Sequence, residues 1–244
     1  MGMKSRLKKE RRASCHQNDL HSASKEQTSD YAPPKTIFRF FKEKEHAEAL
    51  CRGDIWLTTL QTCREYDDPL QGDAKEATHT YDGGTGVLHG DGEDQDFVTK
   101  AARLGIRVCP CAKNIQISGG FHSFSIDNAY VLCTTQEFNP SKLSETFGNY
   151  CVEISEPKEF FKLVSDRLNH IVPLKNGYMG PVTYDKRDHM VHEALPAPIG
   201  FVKPKDIYSD QKEFRFLWLP AEIRDIKPFL LSCPAVAKLC RIIS

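Results

Sequence analysis

The feature that most limits how this chain can fold is a succession of short β-prone runs, each broken from the next by a polar or glycine turn. Thr36–Phe41, Asp54–Thr59, Arg103–Cys109, Ile115–Ile117, Phe121–Ser125, Tyr130–Thr135, Asn149–Ile154, Pro181–Tyr184 and Glu213–Leu219 are rich in β-branched and aromatic residues, the composition of sheet strands. Thr36–Phe41 is apolar on both faces and reads as an interior strand. In Glu213–Leu219 the aromatics Phe214, Phe216 and Trp218 alternate with Glu213, Arg215 and Leu217, so the face opposite the aromatics carries two charges.

Two segments read as helices. In Glu43–Arg52 the residues His46, Ala47, Leu50 and Cys51 make one apolar stripe, and Gly53 supplies a left-handed C-terminal cap. Ser155 is positioned to cap a second helix, with Glu156, Pro157 and Glu159 in its first turn and Phe160, Phe161, Val164 and Leu168 on its buried side. Phe229–Ser244 is apolar enough to close the domain as a strand or short helix. The expectation is one α+β domain over 36–244, a mixed sheet with a few flanking helices.

The remainder reads as solvated chain. Residues 1–35 carry Lys4, Arg6, Lys8, Lys9, Arg11 and Arg12 ahead of a Ser/Gln/Asn/His stretch, a composition that predicts a disordered basic tail; the alternatives are a targeting signal or a basic arm for phosphates. The glycine- and aspartate-rich stretch Asp82–Asp96 predicts an exposed, mobile loop.

The 244 residues hold 33 Lys plus Arg against 33 Asp plus Glu, so no global field draws the chain to nucleic acid or an anionic membrane. No apolar run is long enough to span a bilayer, and the first twenty residues are polar, which predicts a protein without membrane contact. Nine irregularly spaced cysteines suit buried free thiols in a reducing cytoplasm better than a disulfide framework.

Arg39 shares its side of the first strand with Ile37 and Phe41, and a guanidinium in apolar surroundings needs a partner. Either it pairs with a carboxylate, for which Glu213 is the natural candidate, or it lines a cleft and grips a diphosphate or carboxylate. Glu213 likewise either satisfies an arginine or stabilises a reacting sugar. Asp67-Asp68-Pro69 reads first as a turn with self-bonding aspartates and second as a substrate contact through Asp68.

Metal signals are weak. Cys109-Pro-Cys111 has one residue between its thiols where zinc modules use two to four, and His189 and His192 lack an HExxH context. The phosphate loop, the dinucleotide GxGxxG unit, the GxSxG elbow and the EF-hand loop are all missing.

Taken in order, Phe38-Arg39-Phe40, the helix to Gly53, Ile55-Trp56-Leu57-Thr58-Thr59, Asp67-Asp68-Pro69, Val131-Leu132-Cys133-Thr134-Thr135, Phe147 to Ile154, Val182 to Tyr184 and Lys203 to Phe216 resemble the landmarks of a widespread, mostly uncharacterised bacterial and phage-defence-associated family. Asp67 stands where that family usually has Asn. At one remove, a strand-borne arginine, a helix, a Thr-containing strand and a late strand-borne glutamate are similar to the largely antiparallel split-sheet fold of ADP-ribosyltransferases and NAD-cleaving toxins.

That resemblance implies NAD as substrate, Arg39 with Thr58 and Thr59 as its binding residues, and Glu213 as the catalytic carboxylate. Ser123, Ser125 and Asp68 would be secondary contacts, and the acceptor an unknown macromolecule. The chemistry is coherent, because breaking the nicotinamide–ribose bond builds positive charge on the sugar that one carboxylate stabilises. Two other classes stay open: a non-catalytic protein-interaction module, in which Arg39 and Glu213 neutralise each other, and a nucleic-acid-associated protein using its basic tail.

Overall fold

A computed structural model of the chain describes residues 33–222 and 225–243, and the tail expected over 1–35 lies, up to residue 32, outside them. The strands in chain order are β1 (Thr36–Phe41), β2 (Asp54–Thr59), β3 (Thr78–Asp82), β4 (Val87–Gly90), β5 (Ile115–Ser118), β6 (Phe121–Ser125), β7 (Tyr130–Thr135), β8 (Tyr150–Ser155), β9 (Leu174–Pro181), β10 (Thr183–Tyr184), β11 (Asp188–Met190), β12 (Val202–Lys203), β13 (Glu213–Pro220), β14 (Phe229–Ser232) and β15 (Cys240–Ile242). The α-helices are α1 (Lys44–Arg52), α2 (Leu60–Glu65), α3 (Gln95–Arg103), α4 (Pro140–Phe147), α5 (Pro157–Asn169) and α6 (Lys205–Tyr208). The fold is therefore mixed α+β, and its main eight-stranded sheet is antiparallel throughout its described pairings.

That sheet forks. β13 pairs with β7 along its full length, from Glu213↔Thr135 to Trp218↔Tyr130, and so fills one edge of β7. The other edge is shared: β2 takes Tyr130 and Val131, while β1 takes Thr135. One branch continues from β2 to the edge strand β14, the other from β1 through β8 to β15. β9 closes the far side by pairing with β13.

Side-chain alternation then sorts the residues into two layers. On one face Ile37, Ile55, Leu57, Leu132, Val152, Ile154, Phe214, Phe216 and Trp218 join a single buried cluster with Ala47 and Leu50 of α1 and Phe160, Val164 and Leu168 of α5. Each of the larger side chains contributes about 1.5–3 kcal/mol on full burial. The opposite face carries a smaller cluster of Leu60, Ala77, Ala129, Val131, Phe201 and Leu217, with Phe40, Leu143 and Cys151 in a third. Against this second face pack Glu76 and Ala77, which lead into the three-stranded sheet β11-β3-β6, and Phe201 and Lys203 beside and within the β10–β12 pair.

Gly53 ends α1 as the sequence demands. Its φ of +91° is left-handed, its amide reaches the Ala49 and Leu50 carbonyls, and a Cβ there would collide with the Cys233 carbonyl.

Three local expectations are corrected. Asp82–Asp96 is no open loop: β4 pairs with β5 from Val87↔Ser118 to Gly90↔Ile115, and the Asp94 carboxylate caps α3 by accepting from the Asp96 and Phe97 amides. Arg103–Cys109 is the end of α3 and irregular chain rather than a strand. Ser155 does not cap α5, because it closes β8 and its hydroxyl donates to the Leu239 carbonyl at 3.1 Å. That helix instead starts at Pro157, after Glu156 at a φ of +48°. Helix α2 is only six residues long, and α3 has its first turn in the Gly/Asp-rich stretch that reads as a loop and its end in the run that reads as a strand, so neither shows as a helix in the sequence.

Candidate functional site

The two charges opposite the aromatics of β13 are the nucleus of a buried ionic cluster. Arg215 Nε donates to Glu213 Oε1 at 2.7 Å, and its Nη1 donates to Glu76 Oε1 at 2.8 Å and to the Gly200 carbonyl at 2.7 Å. Lys203, from β12, sets Nζ 2.8 Å from Glu213 Oε2 and 3.8 Å from Glu76 Oε2, over the Tyr208 ring. Next to these, Arg187 Nη2 lies 2.6 Å from Asp73 Oδ2 and 3.9 Å from Glu76 Oε1, while its Nε and Nη2 donate to the Val202 carbonyl. Three carboxylates thus meet three cations, and Glu76, Glu213, Arg215, Lys203 and Arg187 are all buried.

Local chemistry brings each member there. Asp68 accepts from the Leu70 amide and the Gln71 side chain, and its carbonyl accepts from the Gln71 and Gly72 amides. Asp67-Asp68-Pro69 is therefore a turn of self-bonding aspartate, and it delivers Asp73 and Glu76 under the sheet. Tyr208 of α6 pins the same loop through its hydroxyl on the Gly72 carbonyl at 2.8 Å. Arg64 of α2 holds the Glu76 carbonyl at 2.9 Å.

Burial alone would raise the Glu213 carboxyl, but Arg215 and Lys203 outweigh it and hold the group well below the ordinary carboxylate range. Desolvation likewise works against the charge on Lys203 and Arg215, and their glutamates overcome it and push both upward. Burial, reinforced by Glu76, lifts the nearby Cys63 thiol to about 11, and burial with Glu213 lifts Cys133 well above its usual value. Each charge is desolvated, matched and hydrogen-bonded, the condition under which such a cluster survives in a core.

Arg39 belongs to none of this. Phe38, Thr135 and Glu213 stand in one cross-strand row over β1, β7 and β13, so Arg39, one residue along, points to the other face with Ile37 and Phe41. Its guanidinium lies 5.3 Å from the Phe41 ring centroid, and among the described residues no carboxylate lies within ion-pair distance of it. Burial lowers it to about 10, a shift that Cys133 opposes. The Arg39–Glu213 pair expected from the sequence is thus replaced by Arg215 and Lys203 on Glu213 and by no carboxylate on Arg39.

The other candidates also scatter. Thr59 is buried and caps α2, its Oγ1 accepting from the Thr62 amide at 3.2 Å, whereas Thr58 pairs with Val131. Ser123 and Ser125 lie exposed on β6 in the second layer, with Ser123 Oγ 3.1 Å from Thr80 Oγ1. Two open surface depressions are present, one lined by Leu163, Arg167, His170 and Pro234, the other by His89, Asp91, Asn114 and Gln116. Neither touches Arg39, Glu213, Thr58, Thr59, Ser123, Ser125 or Asp68.

Sequence reasoning missed Asp73, Glu76 and Arg187 altogether, named Lys203 only as the start of a landmark segment, and noted Arg215 only as a charge on an otherwise apolar strand. That alternation was the one available signal, since the members outside β13 sit in segments with no period. Among the described residues no helix is long and apolar enough to cross a membrane. Compared with protein-family models, curated proteins and solved structures, the chain gives no match.

Proposed function

We propose that this chain is a non-catalytic protein-interaction module, in which the Glu213 cluster locks the second layer onto the sheet and the uncovered end of that sheet docks an extended segment of a partner. The observation that carries it is the pair Trp56 and Leu230. They are direct cross-strand neighbours on β2 and β14, on the face opposite the main core, and they are 52% and 56% exposed. An exposed tryptophan beside an exposed leucine is a typical anchor for binding.

β14 is also an edge strand. Cys233 N donates to the Gly53 carbonyl, and the alternation of an antiparallel ladder then directs the backbone of Leu230 and Ser232 away from β2. Arg167 takes the Ser232 carbonyl at 2.9 Å. Leu230 is left offering its amide and carbonyl outward, the arrangement that accepts an added strand.

The fork at β7 supports a likeness to the split-sheet arrangement of ADP-ribosyltransferases. NAD cleavage, however, needs a guanidinium and a carboxylate on one hollow, and here they face opposite sides of a sheet. Free thiols at the eight described cysteines support a reducing, cytoplasmic setting. Binding of nucleic acid through the basic tail would involve residues outside those described.

The test has two arms. Purified protein incubated with NAD should release no nicotinamide; turnover abolished by Glu213→Gln with unchanged circular dichroism overturns the proposal in favour of NAD chemistry. A photo-crosslinking residue placed at 230 in cells should capture a partner chain that Trp56→Ser releases, and labelling indifferent to Trp56 removes the docking face.

A further inference from the structure

Cys109 and Cys111 are both exposed, and their sulfurs stand 2.6 Å apart. Of the remaining described cysteines, Cys51, Cys63, Cys133 and Cys240 are half-buried and Cys151 and Cys233 buried. The closeness of the pair is built by the backbone. Ala112 N donates to the Cys109 carbonyl at 2.9 Å, closing a β-turn with Pro110 at its second position. Gly92 N in turn donates to the Ala112 carbonyl at 2.8 Å, and a Cβ on Gly92 would collide with the Cys109 carbonyl. The turn is therefore clamped against the chain that leads into α3, with Lys113 reaching back to Glu93 at 2.7 Å.

We propose that Cys109 and Cys111 form a thiol–disulfide exchange site that takes low-molecular-weight disulfides and closes reversibly to an intraloop disulfide. The Cys109 thiol is the attacking group: its hydrogen bond from Cys111 draws it below its ordinary range, and Cys111 rises in return. In the first step the Cys109 thiolate attacks one sulfur of the small disulfide, the S–S bond breaks, and one thiolate leaves and takes up the proton that Cys109 lost. In the second, Cys111 loses its proton, its thiolate attacks Cys109 Sγ, and the second small thiolate departs and is protonated. Two electrons pass from the protein dithiol to the small disulfide, which ends as two thiols. A reductant of the same class reverses both steps.

Nothing buried has to open for this chemistry, so it can run on the folded chain. It also explains a spacing that suits no zinc module: one intervening proline holds two thiols together without providing the ligand geometry of a tetrahedral site.

The experiment treats the full chain with oxidised glutathione under native conditions, blocks remaining thiols, and reads each cysteine by peptide mass spectrometry, which resolves this pair from Cys15 and the rest. The wild type should close the Cys109–Cys111 disulfide at least about tenfold faster than any half-buried or buried cysteine is modified, and reduced glutathione should reopen it. Cys111→Ser should accumulate a stable glutathione adduct on Cys109, and Cys109→Ser should acquire its adduct on Cys111 more slowly. Both serine variants lie on the surface and should keep the wild-type melting temperature. A wild type that carries glutathione on Cys109 without closing the ring, or serine variants that react at equal rates, overturns the proposal.

Discussion

Arg215 Nε and Glu213 Oε1 meet at 2.7 Å from two positions along one strand, a same-face contact between neighbours that seals the centre of the ionic cluster. Arg215 is 1% exposed and also holds Glu76. Removing it strands two carboxylates with only Lys203 and Arg187 to answer them. Breaking a buried pair from one side costs about 3–5 kcal/mol, so Arg215→Met should lower the melting temperature by roughly 10 °C. Calorimetry checks this, and a fall of under about 2 °C means the cluster is wetter than its geometry.

Arg39 should behave in the opposite way. Among the described residues it has no carboxylate to abandon, and its desolvated guanidinium rests on Phe41. Arg39→Met keeps the apolar stem and drops the charge, so its stability should stay within about 1 kcal/mol of the wild type. A loss as large as that of Arg215→Met would reveal a partner for Arg39 and reopen an ion-pair role.

Much of this was legible before any coordinates. The strands at 36–41, 54–59, 121–125, 130–135 and 213–219 follow from composition and alternation, and Gly53 from its place after the last stripe residue of α1. Which strand lies beside which was not legible, and that is what decided the site. A carboxylate on β13 and a guanidinium on β1 look like partners in sequence, and a register offset by one residue puts them on opposite faces. Glu76 was invisible for another reason: it sits in an irregular loop whose course is set by the Asp68 turn and by Tyr208, both long-range or aperiodic signals. β4 was missed because only Val87 and Leu88 are apolar in it, and its pairing depends on β5, far along the chain.

Acid should weaken the second layer first. His79, fully buried on β3, places Nδ1 3.2 Å from Nε2 of His189 on β11, and its own Nε2 has no partner among the described residues. Burial, then the charges of His189 and Arg187, lower His79 to about 4, against weaker upward pulls from the Arg187 backbone and from Asp188. His189 is lowered by burial too, with Lys186 acting alongside and Glu193, Asp185 and Asp188 opposing. A histidine whose folded value is depressed binds more protons unfolded, so its stabilisation is complete above about 6.5 and is lost as pH falls toward about 4. The loss should be on the order of 2–3 kcal/mol over that window. Melts at stepped pH should show the decline, and His79→Phe should flatten it even if its baseline is lower. A wild-type midpoint constant from pH 7 to 4.5 would contradict the buried pair.

The uncovered sheet end can be read from the chain's two tryptophans. Trp218 is fully buried, donates Nε1 to Ser165 Oγ at 2.7 Å and stacks near Phe161 and Phe216, so its emission should be short-wavelength and resistant to iodide. Trp56 is 52% exposed beside Leu230 and should supply the long-wavelength, quenchable component. Trp56→Phe should abolish that component while shifting stability by no more than about 0.5 kcal/mol, because a half-solvated side chain away from the core carries little folding energy. An extended partner laid along β14 would shield the same ring, so its binding should reduce iodide quenching in the wild type and leave Trp56→Phe unchanged. Quenching that survives Trp56→Phe would place the exposed tryptophan elsewhere and remove the docking face with it.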